Sequence, residues 1–196
     1  YRGSTGFGQG VVESLPSRIG TLDVQDMGAA TLKIRDSGLV DPERIGICGG
    51  SHGGFLTGHC TGQFPDLFRV AAMRNPVVNL PSMTTATDIP DWCFVEALGS
   101  YDWQDYRPPT PDELQTMWEK SPVRYVQNVK APTLMALGLK DLRVPPSQGL
   151  EWFHTLRARR VRTKLLTYDE DDHAIGGTQS EADHWINIKR WFDEHL

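Results

Sequence analysis

The chain has 196 residues, of which 39% are hydrophobic, and its formal net charge is −5. This length fits one domain with a sizeable core, and the chain has neither a basic cluster nor an apolar run of about 18 residues, so nucleic-acid binding and membrane spanning are not expected. Its three cysteines lack C-x-x-C spacing, which is typical of a reduced, cytoplasmic protein without metal or other cofactor.

The first regular element is a helix predicted over 21–37, because apolar residues recur there at helical spacing and Gly38 ends the pattern. Asp41-Pro42 then turns the chain into a predicted strand over 44–48. A helix over 54–64 and a second apolar strand over 68–73 follow. The predicted order of elements up to residue 73 is therefore helix, strand, helix, strand.

Periodicity is lost between residues 74 and 125, where prolines and aromatic side chains interrupt the pattern. An excursion of this size inside a compact domain often covers or walls a site. We expect Trp92, Phe94 and Trp103 to form an apolar wall for a substrate side chain, with core packing as the alternative. Within the excursion, Thr110-Pro111-Asp112-Glu113 predicts the start of a short helix that ends near Glu119.

The regular pattern resumes with a strand over 133–138, a helix over 147–159 and a strand over 162–168. A closing amphipathic helix is predicted over 180–195. Strands that alternate with helices at this spacing indicate an α/β protein with a mostly parallel sheet and helices on both faces.

The segment Gly49-Gly50-Ser51-His52-Gly53 lies between a predicted strand and a predicted helix. In that context G-x-S-x-G indicates a nucleophile elbow of the α/β-hydrolase fold, in which glycines let strand and helix approach closely. We therefore expect Ser51 to be a nucleophile and the backbone N–H of His52 to receive the developing oxyanion charge. The alternative is a glycine-rich turn with an idle serine.

An elbow serine needs a base and an acid that orients it, and in α/β-hydrolases these follow in the order acid, then histidine. That order favours Asp141 and His173, each just beyond the carboxyl end of a predicted strand. Asp169, Asp171 and Asp172 compete with Asp141, although a solvated acidic loop also explains them. His59, His154 and His184 lie within helical patterns and are better explained as packed or surface residues.

Several segments together resemble the catalytic domain of the acylaminoacyl peptidases, a group in the prolyl oligopeptidase family of serine peptidases. The resemblance implies that Ser51, Asp141 and His173 are nucleophile, acid and base. It also implies that Arg143 holds a substrate carbonyl, a surface ion pair being the alternative. The segments are Tyr1-Arg2-Gly3-Ser4-Thr5-Gly6-Phe7-Gly8, Gly49-Gly50-Ser51-His52-Gly53-Gly54, Arg74-Asn75-Pro76-Val77, Asp88-Ile89-Pro90-Asp91-Trp92-Cys93, Lys120-Ser121-Pro122 and Asp141-Leu142-Arg143-Val144-Pro145.

The same resemblance implies a serine peptidase that releases an N-acylated amino acid from the start of a blocked peptide. Short N-acylated peptides would be its partners, and the full-length protein would form a homo-oligomer. Two other functions stay open: a related serine esterase or dipeptidyl peptidase, and a non-catalytic fragment that acts only in folding or interaction.

Two features of the family do not occur in this sequence. One is the β-propeller before the hydrolase domain, and the other is a His-Gly-Gly-Pro turn that gives a second oxyanion donor. We therefore expect residues 1–196 to be the C-terminal part of an α/β-hydrolase catalytic domain, whose elbow strand lies at an edge of the sheet.

Overall fold

A computed structural model describes all residues, 1–196, and its centre is a four-stranded parallel sheet. The strands lie side by side in chain order, with Gly49 opposite Met73 and Met73 opposite Met135. The expected parallel sheet is confirmed, and the elbow strand lies at one edge. The strands are β1 (Gly46–Gly50), β2 (Val70–Arg74), β3 (Thr133–Gly138) and β4 (Thr163–Tyr168).

Eight α-helices and one 3₁₀ helix connect and cover these strands. The four long helices lie where the sequence predicts them, within two residues at most ends. The helices are α1 (Gln9–Val12), α2 (Leu22–Asp36), α3 (His52–Gln63), α4 (Leu80–Thr84), α5 (Pro90–Leu98), α6 (Pro111–Glu119), α7 (Ser147–Ala158) and α8 (Thr178–His195), and the 3₁₀ helix spans Pro122–Asn128. None of them is both long and apolar enough to cross a membrane.

The excursion between residues 74 and 125 contains more helix than the sequence predicts. The predicted helix is confirmed as α6, with a reciprocal capping box between Thr110 and Glu113. Two further helices, α4 and α5, precede it and have only 5 and 9 residues. Pro90 occupies the first turn of α5, and Gly99 ends that helix in the left-handed conformation at φ 95°. Helices this short carry too few turns to show a period in the sequence.

Helices cover both faces of the sheet, as expected. On one face, Phe55 of α3 and Trp152 of α7 belong to the apolar clusters that contain Ala71 and Met73. On the other face, α8 packs its apolar side against the alternate strand residues. The cluster on this face contains Val70, Ala72, Leu134, Ala136, Ile175, Ile188 and Trp191. The helices packed on both faces hold the strands so that their carboxyl ends lie along one edge of the sheet.

His59 is a fully buried histidine of α3. Its Nε2–H donates to the carbonyl of Lys120 over 3.0 Å, and its Nδ1 accepts from the Gln63 side-chain amide over 2.8 Å. These partners suit the neutral imidazole. Burial lowers the pKa of His59 to about 4, from an ordinary value of 6.5. The unfolded chain therefore binds more protons than the folded chain between these two pH values, and stability must fall as pH falls through that range.

We expect the free energy of unfolding to drop by about 1.6 kcal/mol between pH 6.5 and pH 5 because of His59, with a slope that approaches about 1.4 kcal/mol per pH unit between the two pKa values. Urea unfolding at several pH values measures the slope. His59→Gln keeps a donor for the Lys120 carbonyl but does not titrate, so its slope should be shallower than that of the wild type. His154→Gln, at an exposed position, is the control. Equal slopes in all three proteins would contradict the prediction.

Candidate active site

Ser51 lies in the sharp turn between β1 and α3, with φ 56° and ψ −122°. A positive φ is unusual for a residue with a side chain, and such strain is typical of a nucleophile elbow. The backbone N–H of Ser51 donates to the carbonyl of Arg74 over 2.9 Å. His52 is the first residue of α3, where backbone N–H groups have no acceptor within the helix. The turn thus has the geometry expected from the sequence.

Two glycines make this turn possible by close approach. A Cβ added at Gly49 would lie 2.1 Å from the carbonyl oxygen of Gly53, and one added at Gly54 would lie 2.6 Å from Cβ of Pro76. A Cβ at Gly53 would meet nothing within 4 Å. The crowding that excludes side chains is therefore at Gly49 and Gly54, rather than at the second glycine of the G-x-S-x-G motif.

The structure brings His173 and Asp141 together. His173 Nδ1 and Asp141 Oδ2 are 2.7 Å apart, which is a short, charge-assisted hydrogen bond. The Asp141 side chain is fully buried, whereas that of His173 is 28% exposed. Since Nδ1–H donates to the carboxylate, Nε2 is left as the free acceptor of the ring. This is the tautomer that a general base requires.

The loop after β3 holds the other Asp141 oxygen. Oδ1 accepts from the backbone N–H groups of Arg143 and Val144, both over 2.9 Å. A buried carboxylate with donors on both oxygens is fixed in orientation as well as in charge. Asp141 can therefore present Oδ2 to His173 without rotating.

The competing acids in the loop after β4 have other partners. Asp171 Oδ1 accepts from the backbone N–H of Gly177 over 2.8 Å, and Asp172 Oδ1 accepts from that of Ala174 over 3.0 Å. Hydrogen bonds from the Ser180 side chain and then from Gly177 lower the pKa of Asp171. These carboxylates shape the loop, and neither bonds the His173 ring.

A cavity of about 290 Å³ contains Ser51, His52 and His173 in its wall. The rest of the wall is apolar apart from Arg143. It consists of Val77, Met83, Ile89, Trp92 and Val144 together with Arg143. A neighbouring cavity of about 470 Å³ shares Arg143 and His173 and is also lined by Asp141. The predicted nucleophile, base and substrate residue Trp92 thus meet at one site.

Phe94 and Trp103 do not lie in the wall of this cavity. Phe94 is 7% exposed, belongs to the main core cluster and packs edge-on against Tyr101. Trp103 is 74% exposed and also packs against Tyr101. Of the three aromatic residues expected to form the wall, the structure places only Trp92 beside Ser51, and for Phe94 it shows the core-packing alternative.

Arg143 is half-exposed and pairs with Asp88, which precedes α5. Arg143 Nε and Asp88 Oδ1 are 3.3 Å apart, and the backbone of Asp88 donates to the carbonyl of Leu142 over 3.0 Å. The guanidinium is therefore held at the rim of the cavity that it lines. Both readings of Arg143 from the sequence, a surface ion pair and a residue beside the scissile bond, are compatible with this placement.

Two polar residues of the site were not found from the sequence. Asp23 of α2 is fully buried and its Oδ2 lies 3.1 Å from Nε2 of His52. Asn75 follows β2 directly and bonds the loop that carries His173. Their partners are 29 and 98 residues away along the chain, so no local pattern marks them. No group of three or more histidine, cysteine or acidic side chains is placed to hold a metal ion.

Comparisons with known proteins find relatives of the whole chain. The model of the prolyl oligopeptidase family matches residues 1–196. Acylamino-acid-releasing enzyme 2 of Oryza sativa subsp. japonica is 46% identical over 197 residues, which cover 100% of this chain and 26% of that protein. The chain therefore spans about a quarter of the length of this relative.

Two solved structures have the same fold over the whole chain. A puromycin-hydrolyzing peptidase of Mycobacterium tuberculosis matches with a TM-score of 0.89 at 28% identity, and 28% of it is covered. The acylaminoacyl peptidase of Pyrococcus horikoshii matches with a TM-score of 0.86 at 27% identity, and 31% of it is covered. The α/β-hydrolase fold is thereby confirmed, and the chain belongs to the prolyl oligopeptidase family.

Proposed function

We propose that residues 1–196 carry the nucleophile, base and acid of a serine peptidase that releases an N-acylated amino acid from a blocked peptide. The observation that carries the proposal is the short bond between His173 and Asp141, at a cavity that also contains the strained Ser51. Short N-acylated peptides are the proposed substrates, because acylaminoacyl peptidases are among the proteins that the chain resembles in sequence and structure.

The proposed chemistry is acyl transfer in two steps. Nε2 of His173 takes the proton of the Ser51 hydroxyl, and Oγ of Ser51 attacks the carbonyl carbon of the first peptide bond. Asp141 stabilises the imidazolium that forms. The backbone N–H of His52 donates to the oxyanion, and His173 then protonates the leaving amine. Water attacks the acyl-enzyme, with His173 again as base, and releases the N-acylated amino acid.

Arg143 is the proposed contact for a substrate carbonyl near the scissile bond. It lies in the wall of the cavity beside His173, is half-exposed and pairs with Asp88. A guanidinium at the cavity rim can donate to a neutral carbonyl without losing all of its own solvation. Trp92 is the proposed apolar contact for the side chain of the first amino acid.

The test is covalent labelling by a fluorophosphonate, followed by kinetics with paired peptides that have an acetylated or a free amino terminus. The proposal expects labelling of Ser51 and a higher kcat/KM for the acetylated peptide. Labelling with a preference for the free peptide would indicate a dipeptidyl peptidase, and turnover confined to esters would indicate an esterase. No labelling of a folded chain would favour a non-catalytic role.

We expect Trp92→Ala to raise KM about tenfold for acetylated peptides whose first residue is large and apolar, because the loss of an apolar contact costs about 1–3 kcal/mol. KM for an acetylated alanine peptide should change little. Phe94→Ala is the matched control, since Phe94 is two residues away on α5 but packs in the core. An equal rise in KM for both peptides would contradict a role for Trp92 in side-chain recognition.

A cytoplasmic location and an oligomeric state are also proposed. Cys48, Cys60 and Cys93 are all free thiols, and burial raises the pKa of both Cys60 and Cys93 to about 12, which keeps them unreactive. Unpaired cysteines suit a reducing compartment. The homo-oligomeric state is proposed for the full-length protein and rests on the resemblance to the acylaminoacyl peptidases. Fractionation and light scattering of the protein test these two points.

A further inference from the structure

Asn75 lies where the three segments that carry Ser51, Asp141 and His173 meet. It is the first residue after β2, is 2% exposed and has φ 37°. Asparagine tolerates positive φ better than most residues with a side chain, but the conformation still has a cost. A buried residue with an unfavourable backbone conformation must be held there by its contacts.

The side chain of Asn75 supplies those contacts. Its Nδ2 donates to the carbonyl of His173 over 2.9 Å and to that of Asp172 over 3.2 Å. Its Oδ1 accepts from the backbone N–H of Gly138 over 2.9 Å. Gly138 ends β3, three residues before Asp141. One amide group therefore joins the backbone that carries the base to the strand that leads to the acid.

The backbone beside Asn75 extends the connection to the nucleophile. The carbonyl of Arg74 accepts from the N–H of Ser51 over 2.9 Å, and the N–H of Val77 donates to the carbonyl of Ser51 over 3.4 Å. The N–H of Asn75 itself donates to Ala136 of β3 over 3.0 Å. Residues 74–77 thus contact all three segments. Among them, Asn75 has the side chain that bonds the backbone of Asp172 and His173.

We propose that Asn75 is a positioning residue that sets His173 relative to Asp141 and Ser51. The proposal rests on the function proposed above. An amide is required at this place because the carbonyls of Asp172 and His173 need a donor, whereas the N–H of Gly138 needs an acceptor. Aspartate has the same shape but offers no donor when ionised, and it would place its charge against two carbonyl oxygens.

The test compares Asn75→Gly and Asn75→Asp with the wild type. Glycine adopts a positive φ without strain, so this variant removes the side-chain bonds and keeps the backbone conformation. We expect kcat on an acetylated peptide to fall about 10²-fold in both variants, as for misplacement of a catalytic group by about 1 Å, with KM little changed. Asn75→Asp should also raise the apparent pKa on the acid side of the pH profile of kcat/KM, because a nearby carboxylate favours the imidazolium.

Gln148→Glu is the matched control. Gln148 is a second buried amide, 1% exposed, that accepts from the N–H of Asn79 and donates to its carbonyl. Its side chain bonds Val78, Asn79 and Ser82, and none of the three segments that carry the triad. We expect this variant to lose stability in urea about as much as Asn75→Asp while kcat and the acid limb stay close to wild type.

An NMR measurement tests the role of Asn75 without measuring turnover. The proton that His173 Nδ1 donates to Asp141 should give a strongly deshielded NMR resonance, which Asn75→Gly should broaden or move upfield and Gln148→Glu should not. A folded Asn75→Gly with the wild-type resonance would overturn the proposal, as would an unchanged kcat. If the wild type shows no labelling or turnover, the proposed function fails, and the resonance alone still decides the role of Asn75.

Discussion

Replacement of Ser51 by alanine is expected to lower kcat on an acetylated peptide by about 10⁶-fold, the effect of removing the nucleophile from a serine peptidase triad. The physical reason is that His173 then has no hydroxyl to deprotonate and no acyl-enzyme can form. Some rate above that of water should remain, because the cavity and the His52 N–H are unchanged. Stability should not fall, since the hydrogen bonds of Ser51 are made by its backbone, which alanine keeps.

Steady-state kinetics and fluorophosphonate labelling measure this effect together. Ser37→Ala is a suitable control, because Ser37 is an exposed residue at the end of α2 and lies outside the cavity. The control should label and turn over as the wild type does. Persistent labelling of Ser51→Ala would show that another residue is the nucleophile.

The parts of the fold that follow from local chemistry could be predicted from the sequence. The predicted strand over 133–138 has the observed bounds of β3, because this apolar run is buried on both faces. The helix at Thr110 was predicted by its capping box, which the structure shows as two reciprocal hydrogen bonds. The choice of Asp141 and His173 as partners of Ser51 follows from the order acid, then histidine. Their places after strand ends support it, since parallel strands bring their carboxyl ends to one edge of the sheet.

The wall of the cavity shows where such prediction stops. Trp92 and Phe94 are two residues apart, and on a helix that spacing turns their side chains about 200° from one another. One therefore faces Ser51 while the other enters the core. The 9 residues of α5 show no clear period, so the sequence does not predict this helix. Without a predicted helix, Trp92 and Phe94 could not be assigned to different faces.

The polar residues that support the site could not be found for a different reason. Asn75, Asp23 and Asp88 act through partners that are distant in sequence, and each bond depends on loops whose paths the sequence does not specify. The nearest signal is Arg74-Asn75-Pro76, in which a residue before proline is pushed away from the helical region. Asn75 lies outside the right-handed helical region, but its φ of 37° is left-handed rather than the extended value that is usual before proline.

Replacement of Asp141 by asparagine is the second large effect, an expected loss of about 10⁴-fold in kcat. Asparagine fits the same space, and its oxygen can still accept from the N–H groups of Arg143 and Val144. Its amide N–H₂ would then face Nδ1 of His173, which becomes the acceptor. The proton of the neutral ring moves to Nε2, and the base can no longer take the Ser51 proton.

Asp171→Asn is the comparison variant, because Asp171 is one of the three competing acids in the loop after β4. Its depressed pKa, caused by Ser180 and then Gly177, means that it stabilises the fold above the unfolded pKa of about 3.9 and ceases to do so as pH falls through the lower folded value. Asp171→Asn should therefore reduce stability at neutral pH and lose that difference in acid, while kcat stays near wild type. Kinetics at pH 7.5 and urea unfolding at pH 7.5 and pH 3 measure both effects. A larger loss of kcat in Asp171→Asn than in Asp141→Asn would contradict the prediction. It would show that Asp171 orients His173, although the structure bonds His173 Nδ1 to Asp141.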